Sequence, residues 1–171
     1  RCHWNAALAV THEQLARLYQ DGRGVPKNDE RAAQWYRSAA VQGHTQSQYE
    51  LGARYQSGRG VPIDYDQALT WYHKAAVKNH AAAQYSIGAL YTSGLGVQQD
   101  HETAIQYYRA SGELGYAPAQ FALAQLYEAG IVVPKNLAEA RAWYAEAAAQ
   151  GDQRGREQMT RIDRDGPVSR Q

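Results

Sequence analysis

The residues best placed to do chemistry are glycines. The stretch Ser57-Gly58-Arg59-Gly60-Val61-Pro62-Ile63-Asp64 sets a Gly-x-Gly turn ahead of a helical segment. Such a turn can cradle a phosphate, with backbone N–H groups and a helix N-terminus facing the anion. It can equally be punctuation between helices, where glycine supplies only its backbone freedom. A cradle is expected once, after a strand, with a further Gly or a Gly-Lys-Ser/Thr. Here the stretch recurs as DGRGVPKN, SGRGVPID, SGLGVQQD and AGIVVPKN, always between helical segments. In the fourth version Gly130 is kept while Val132 replaces the second glycine. That predicts positive φ at the first position only, so Gly58→Val should destabilise the fold and Gly60→Ala should be milder.

No other pattern assembles a reaction centre. The histidines, His3, His12, His44, His73, His80 and His101, show no HExxH or Cys-His ligand spacing. His44 and His80 stand in one column between successive copies and read as loop residues. Cys2 has no second cysteine to pair with and reads as incidental. No Gly-x-Ser-x-Gly elbow occurs, and Glu50 and Glu128 lack a paired acid. The sequence therefore predicts no catalytic residue, no metal site and no cofactor.

Composition narrows the class. The 171 residues are 44% hydrophobic and 20% charged with net charge +1, which fits one domain or one short repeat array. Near-neutrality argues against a dedicated nucleic-acid binder, and a basic C-terminal face reads as solvated. No apolar run is long enough to span a bilayer. The abrupt start Arg1-Cys2-His3-Trp4 carries no signal peptide and fits a start removed by processing or cloning. The compartment stays open, with an exported location favoured over the cytoplasm. Thirteen tyrosines against one phenylalanine imply a core of rings whose hydroxyls need polar partners.

The elements that must position all of this repeat every 36 residues. Gly22, Gly58, Gly94 and Gly130 form one column; Tyr19, Tyr55, Tyr91 and Tyr127 another; Tyr36, Tyr72, Tyr108 and Tyr144 a third. Trp35, Trp71 and Trp143 share a column with Tyr107. Each copy reads as two helices. In the second, Gln48, Leu51, Gly52 and Tyr55 fall on one helical face, and Gly58 ends it. Asn28, Asp64, Asp100 and Asn136 stand where N-caps belong, with capping-box spacing from Asp64 to Gln67 and from Asn136 to Glu139. The second helix carries Ala68, Trp71, Tyr72, Ala75 and Ala76, and is closed by Gly43, Asn79, Gly115 or Gly151 in the successive copies. Gly52, Gly88, Ala16 and Ala124 leave room for a close partner helix. One pair cannot bury its stripe alone, so the copies must stack, each large apolar side chain contributing roughly 1.5–3 kcal/mol before entropy is subtracted.

The series Gln48, Tyr49, Leu51, Gly52, Tyr55, Gly58, Gly60, Val61, Asp64, Ala68, Trp71, Tyr72, Lys74, Ala75 and Ala76 resembles the Sel1-like repeat, a relative of the tetratricopeptide repeat. The resemblance covers roughly residues 9 to 152. It implies an all-α fold: a right-handed α/α superhelical solenoid of four repeats at about 9–44, 45–80, 81–116 and 117–152. A polar C-terminal capping helix is expected over 153–164, its Met159 and Ile162 covering the last repeat, before a flexible tail at 165–171. Arg1 to Leu8 read as a remnant or as an extension of the first helix.

By analogy with tetratricopeptide geometry, the first helices line the concave face. That face would hold Tyr49, Tyr85 and Phe121; Arg17, Ala53, Ala89 and Gln125; and Gln20, Gln56, Thr92 and Glu128. The aromatic column also reads as packing between helices. Residues that vary while the frame repeats, Arg17, Arg54, Gln125 and Glu128, are candidate contacts. What the resemblance implies is a monomeric protein-interaction module for a protein or peptide, as an adaptor or as an immunity protein neutralising a secreted bacterial toxin. The alternative is small-molecule binding or hydrolysis, as in a cysteine-rich, β-lactam-recognising branch whose paired cysteines are missing here. Self-association through a terminal repeat is the other alternative.

Overall fold

The computed structural model describes residues 2–165, and the tail expected over 165–171 lies outside them except for Asp165. Among these residues run nine helices: α1 (Cys2–Asp21), α2 (Asp29–Val41), α3 (Thr45–Ser57), α4 (Tyr65–Ala76), α5 (Ala81–Ser93), α6 (His101–Glu113), α7 (Ala117–Ala129), α8 (Leu137–Ala149) and α9 (Gln153–Asp165). Each packs on its neighbours in the chain, so the fold is an all-α solenoid of four helix pairs closed by α9. Residues 2–8 extend α1 rather than form a separate remnant. None of the described helices is long and apolar enough to cross a membrane.

Local chemistry sets the helix ends. The Asn28, Asp64, Asp100 and Asn136 side chains accept N–H groups from the first turns of α2, α4, α6 and α8. The reciprocal half of the capping box does not form at Asp64 or Asn136. Their own N–H groups donate instead to the carbonyls of Tyr55, at 3.0 Å, and Tyr127, at 2.9 Å. That bond recurs in all four copies and folds each loop back on its first helix.

Inside every pair a tyrosine of the second helix crosses the first. Tyr36, Tyr72 and Tyr144 are each 1% exposed, and Tyr108 is buried. A Cβ on Gly52 would stand 2.7 Å from Cδ1 of Tyr72, and one on Gly88 would stand 2.8 Å from Cε1 of Tyr108, so the ring lies where a side chain would be. The hydroxyls are satisfied by one column: Tyr36 donates to Gln20 at 3.2 Å, Tyr72 to Gln56 at 2.6 Å and Tyr144 to Glu128 at 2.9 Å. Tyr108 and Thr92 share a hydroxyl–hydroxyl bond of 3.1 Å. Burial pushes the Tyr36 phenol up to about 12, so the hydroxyl remains protonated at neutral pH.

Between pairs, Gln48 and Gln120 donate to the carbonyls of Ala40 and Gly112, at 3.1 and 2.9 Å, tying each first helix to the end of the preceding second helix. The second glycine of the loop belongs to this inter-repeat contact. Gly24, Gly60, Gly96 and Val132 all adopt positive φ, contrary to the expectation that only the first glycine needs it. A Cβ on Gly60 would meet the Asp29 carbonyl at 2.0 Å, and one on Gly96 would meet Cβ of Tyr65 at 2.6 Å. Gly24 has no preceding pair, and nothing lies within 4 Å of its Cβ position. Gly60 is thus more constrained than the sequence predicts. Gly24→Ala should cost about 1–2 kcal/mol, the strain of left-handed backbone alone. Gly60→Ala should cost about 2–5 kcal/mol, because overpacking adds about 1–3. Urea unfolding of the two variants checks this, and equal losses would refute the close approach.

Candidate partner-binding face

Residues from α3, α5 and α7 build the face. Tyr49, Tyr85 and Phe121 are half-buried and repeat one arrangement. Each packs on the buried tyrosine of its own pair, with ring centroids 5.8, 5.4 and 5.3 Å apart. Each also touches the next joint. Tyr49 stacks on His80 at 4.7 Å, Tyr85 lies 5.5 Å from Tyr116, and the Arg154 guanidinium sits 4.5 Å from the Phe121 centroid. The rings therefore pack the boundary with one side and leave part of their surface to solvent. Beside them Ala53 and Ala89 are half-exposed, Gln125 is exposed, and Arg17 is exposed and paired with Glu13.

The polar column has a second duty. Gln20, Gln56, Thr92 and Glu128 hold the tyrosine hydroxyls, which restricts how they can turn toward a partner. Glu128 also pairs with Arg161 of α9. Burial raises its carboxyl, but the hydrogen bonds from Arg161 and Tyr144 outweigh that and hold it below the usual carboxylate range.

Arg54 departs from the expectation of an outward contact. Its side chain is 3% exposed and lies in the joint between the first two pairs. Nη2 donates to Gln20 at 2.8 Å, while Nη1 donates to the Asp29 carbonyl and carboxylate, both at 3.3 Å, and to the Arg59 carbonyl at 3.2 Å. The guanidinium carbon sits 5.0 Å from the centroid of the Tyr36 ring. Leu18, Leu90 and Leu126 occupy this column in the other copies, so the variation marks a different way of filling a joint.

His44 and His80 are N-caps rather than loose loop residues. Nδ1 of His44 accepts the Ser47 N–H at 3.3 Å and Nδ1 of His80 accepts the Ala83 N–H at 3.2 Å. Nε2 of His80 lies 3.0 Å from Gln46 Oε1 and is the donor in that pair. The sequence pattern concealed a cleft of about 350 Å³ between α6 and α7, where His101, Ala104, Ala122, Leu126 and Ile131 line the space beside Thr92 and Tyr108. Its only signal is a break in pattern, Val132 where other copies carry glycine. Among the described residues no cluster of His, Cys, Asp and Glu could hold a metal ion.

Comparison with known proteins gives a consistent picture. The Sel1 repeat matches four times, at residues 11–44, 45–80, 81–116 and 117–152. A Sel1 repeat protein from Oxalobacter formigenes is similar at 32% identity and TM-score 0.85, over 90% of this chain and 63% of that one. A protective antigen present in uropathogenic Escherichia coli strains, displaying an SLR fold, is similar at 34% identity and TM-score 0.85, over 92% of this chain and 34% of that one. An immunity protein from Pseudomonas aeruginosa is similar at 28% identity and TM-score 0.59, over 86% of this chain and 54% of that one. The chain thus spans less than two thirds of the length of these relatives. No curated protein sequence matches it.

Two outcomes follow from the joints. Arg54→Ala should cost about 2–4 kcal/mol by opening the first joint, whereas Arg54→Leu should recover most of that loss, since Asp29 is partly exposed and keeps Arg59. Chemical denaturation of both variants decides it, and an equal loss would contradict the filling role. Burial lowers the basicity of His80 and of His73 below the ordinary histidine value of about 6.5, so the unfolded chain binds more protons just below neutrality. Stability contributed by both is complete above their unfolded pKa and falls as pH drops through the lower folded value. Thermal midpoints should therefore decline from about pH 7 to about pH 5, and His80→Asn, a cap that does not titrate, should flatten the decline. A slope unchanged by His80→Asn would refute the assignment.

Proposed function

The chain belongs to the Sel1 repeat family, and we propose that it serves as a protein-binding module whose partner lies along the face lined by α3, α5 and α7. Sel1 repeat proteins generally mediate protein–protein interaction, and the fold is typically a non-catalytic scaffold. The observation that carries the reading is the row of half-buried rings Tyr49, Tyr85 and Phe121 beside a varying column, Arg17, Ala53, Ala89 and Gln125. Tyrosine offers large contact area and a polar tip at low entropy cost, and the neighbouring column sets shape and charge from copy to copy. The open cleft between α6 and α7 carries two titratable side chains, His101 and the buried phenol of Tyr108, and no carboxylate, which fits a binding surface better than a reaction centre.

The partner is a protein or peptide. A narrower reading, that it is a secreted bacterial toxin, rests on the likeness to the Pseudomonas aeruginosa immunity protein. An adaptor role uses the same face.

Immobilised chain should capture its partner from extract of the source cell. Ala53→Arg combined with Ala89→Arg should abolish capture while the thermal midpoint moves by less than about 2 °C. Arg17 already holds the same column, so the frame accommodates arginine there. Capture that persists with the folded double variant would sink the assignment of the face, and no captured protein with folded bait would sink the module.

A further inference from the structure

The three joints between the four helix pairs are equivalent by sequence register and are filled in three ways. At the first, the Arg54 guanidinium lies at the Tyr36 ring and bonds Gln20 and Asp29. At the second, Leu90 replaces Arg54 and is 1% exposed, and Tyr65 replaces Asp29 and packs into the same core. At the third, the cleft of about 350 Å³ remains. Its lining residues Thr92, His101, Tyr108, Leu126 and Ile131 stand two repeats on from Gln20, Asp29, Tyr36, Arg54 and Arg59. The open space is therefore the counterpart of the place that Arg54 fills from within the chain.

The third joint also differs at its loop, where Val132 stands in the place of the second glycine. At the first two joints a glycine lets the loop approach to within 2.0 Å and 2.6 Å, measured from the position a Cβ would take. Val132 has the same left-handed φ and a real Cβ, which rules out so close an approach to the start of α6. The loop is also apolar and open to solvent. Ile131 is 58% exposed and Val132 44%, where the first two copies carry Arg23-Gly24 and Arg59-Gly60.

We propose that this cleft receives one aromatic side chain, tyrosine or tryptophan, from the partner polypeptide; the inference rests on the protein-binding reading above. The occupant is flat, because its counterpart at the first joint is a planar guanidinium against a tyrosine ring, and Tyr108 holds that ring's place here. It is uncharged, because His101 replaces Asp29 and no carboxylate lines the cleft, so a buried guanidinium would lack its counter-charge. It carries a polar edge, because the exposed His101 and Gln125 stand among apolar walls of Ala104, Ala122 and Leu126. The volume suits a single ring system, at the small end of ligand pockets. An apolar rim excludes water around such an anchor.

Methyl-labelled chain titrated with N-acetyl-tryptophanamide and N-acetyl-tyrosinamide tests this without the partner. The methyl signals of Ala104, Ala122, Leu126 and Ile131 should shift, saturating in the millimolar range expected for so small a ligand. N-acetyl-argininamide and N-acetyl-alaninamide should leave them in place. The double variant His101→Asp/Leu126→Arg, which rebuilds the first joint, should weaken the aromatic probes about tenfold or more. Ala122→Leu, which narrows the cleft, gives the same readout if the double variant does not fold. Absent shifts with the aromatic amides, preference for the arginine amide, or shifts that survive filling would each overturn the proposal. These results are independent of capture by the Ala53→Arg/Ala89→Arg variant, so failure of the cleft and failure of the binding face are distinguished.

Discussion

A tyrosine ring laid across a position with little or no side chain is the contact on which the rest of this solenoid depends. The ring needs a glycine or alanine beneath it, so Ala16, Gly52, Gly88 and Ala124 recur. Its hydroxyl is carried into the interior and must find an acceptor or a donor there. One column supplies it in every copy, as an amide in two, a hydroxyl in one and a carboxylate in the last. The bond repeats in geometry while the residue type changes. What the fold requires at this column is an oxygen within reach of the phenol, and three chemistries meet that requirement.

This explains what could be read from the chain and what could not. Register, helix ends and pairing were legible because each depends on residues within one copy: Gly58 at the left-handed C-cap, Asp64 at the N-cap, Tyr72 over Gly52. Gly60 was misread because its constraint comes from another copy. Comparing loops by residue type makes Val132 look like proof that the second position tolerates any side chain. The neighbour to which each loop must come close decides the matter, and Gly24 faces none while Gly60 faces the Asp29 carbonyl.

Arg54 shows the complementary limit. A charged residue that interrupts a column of leucines reads as a surface contact, since isolated charges are rarely buried. Its burial becomes intelligible only when Gln20, Asp29 and the Tyr36 ring, all from the preceding pair, are seen to surround the guanidinium. Of the face expected from sequence, the aromatic row was legible as a pattern. Its division between packing and exposure was not, because that depends on His80 and Tyr116, the N-cap residues that open the following helix pairs.

The joints are where this fold can vary without losing its register. Within a pair, the ring, its small-residue seat and its polar partner constrain one another, so a change at one is felt at the others. A joint is held at several separate places: Gln48 or Gln120 on a carbonyl, an aromatic at its edge, and the loop against the preceding pair. Without the close loop approach, the third joint keeps the Gln120 bond and the Tyr85–Tyr116 contact. One joint can therefore open a cleft while the stack on either side keeps its frame. A repeat array gains a distinctive recognition element in this way by relaxing one contact, with no need to build a new element of structure.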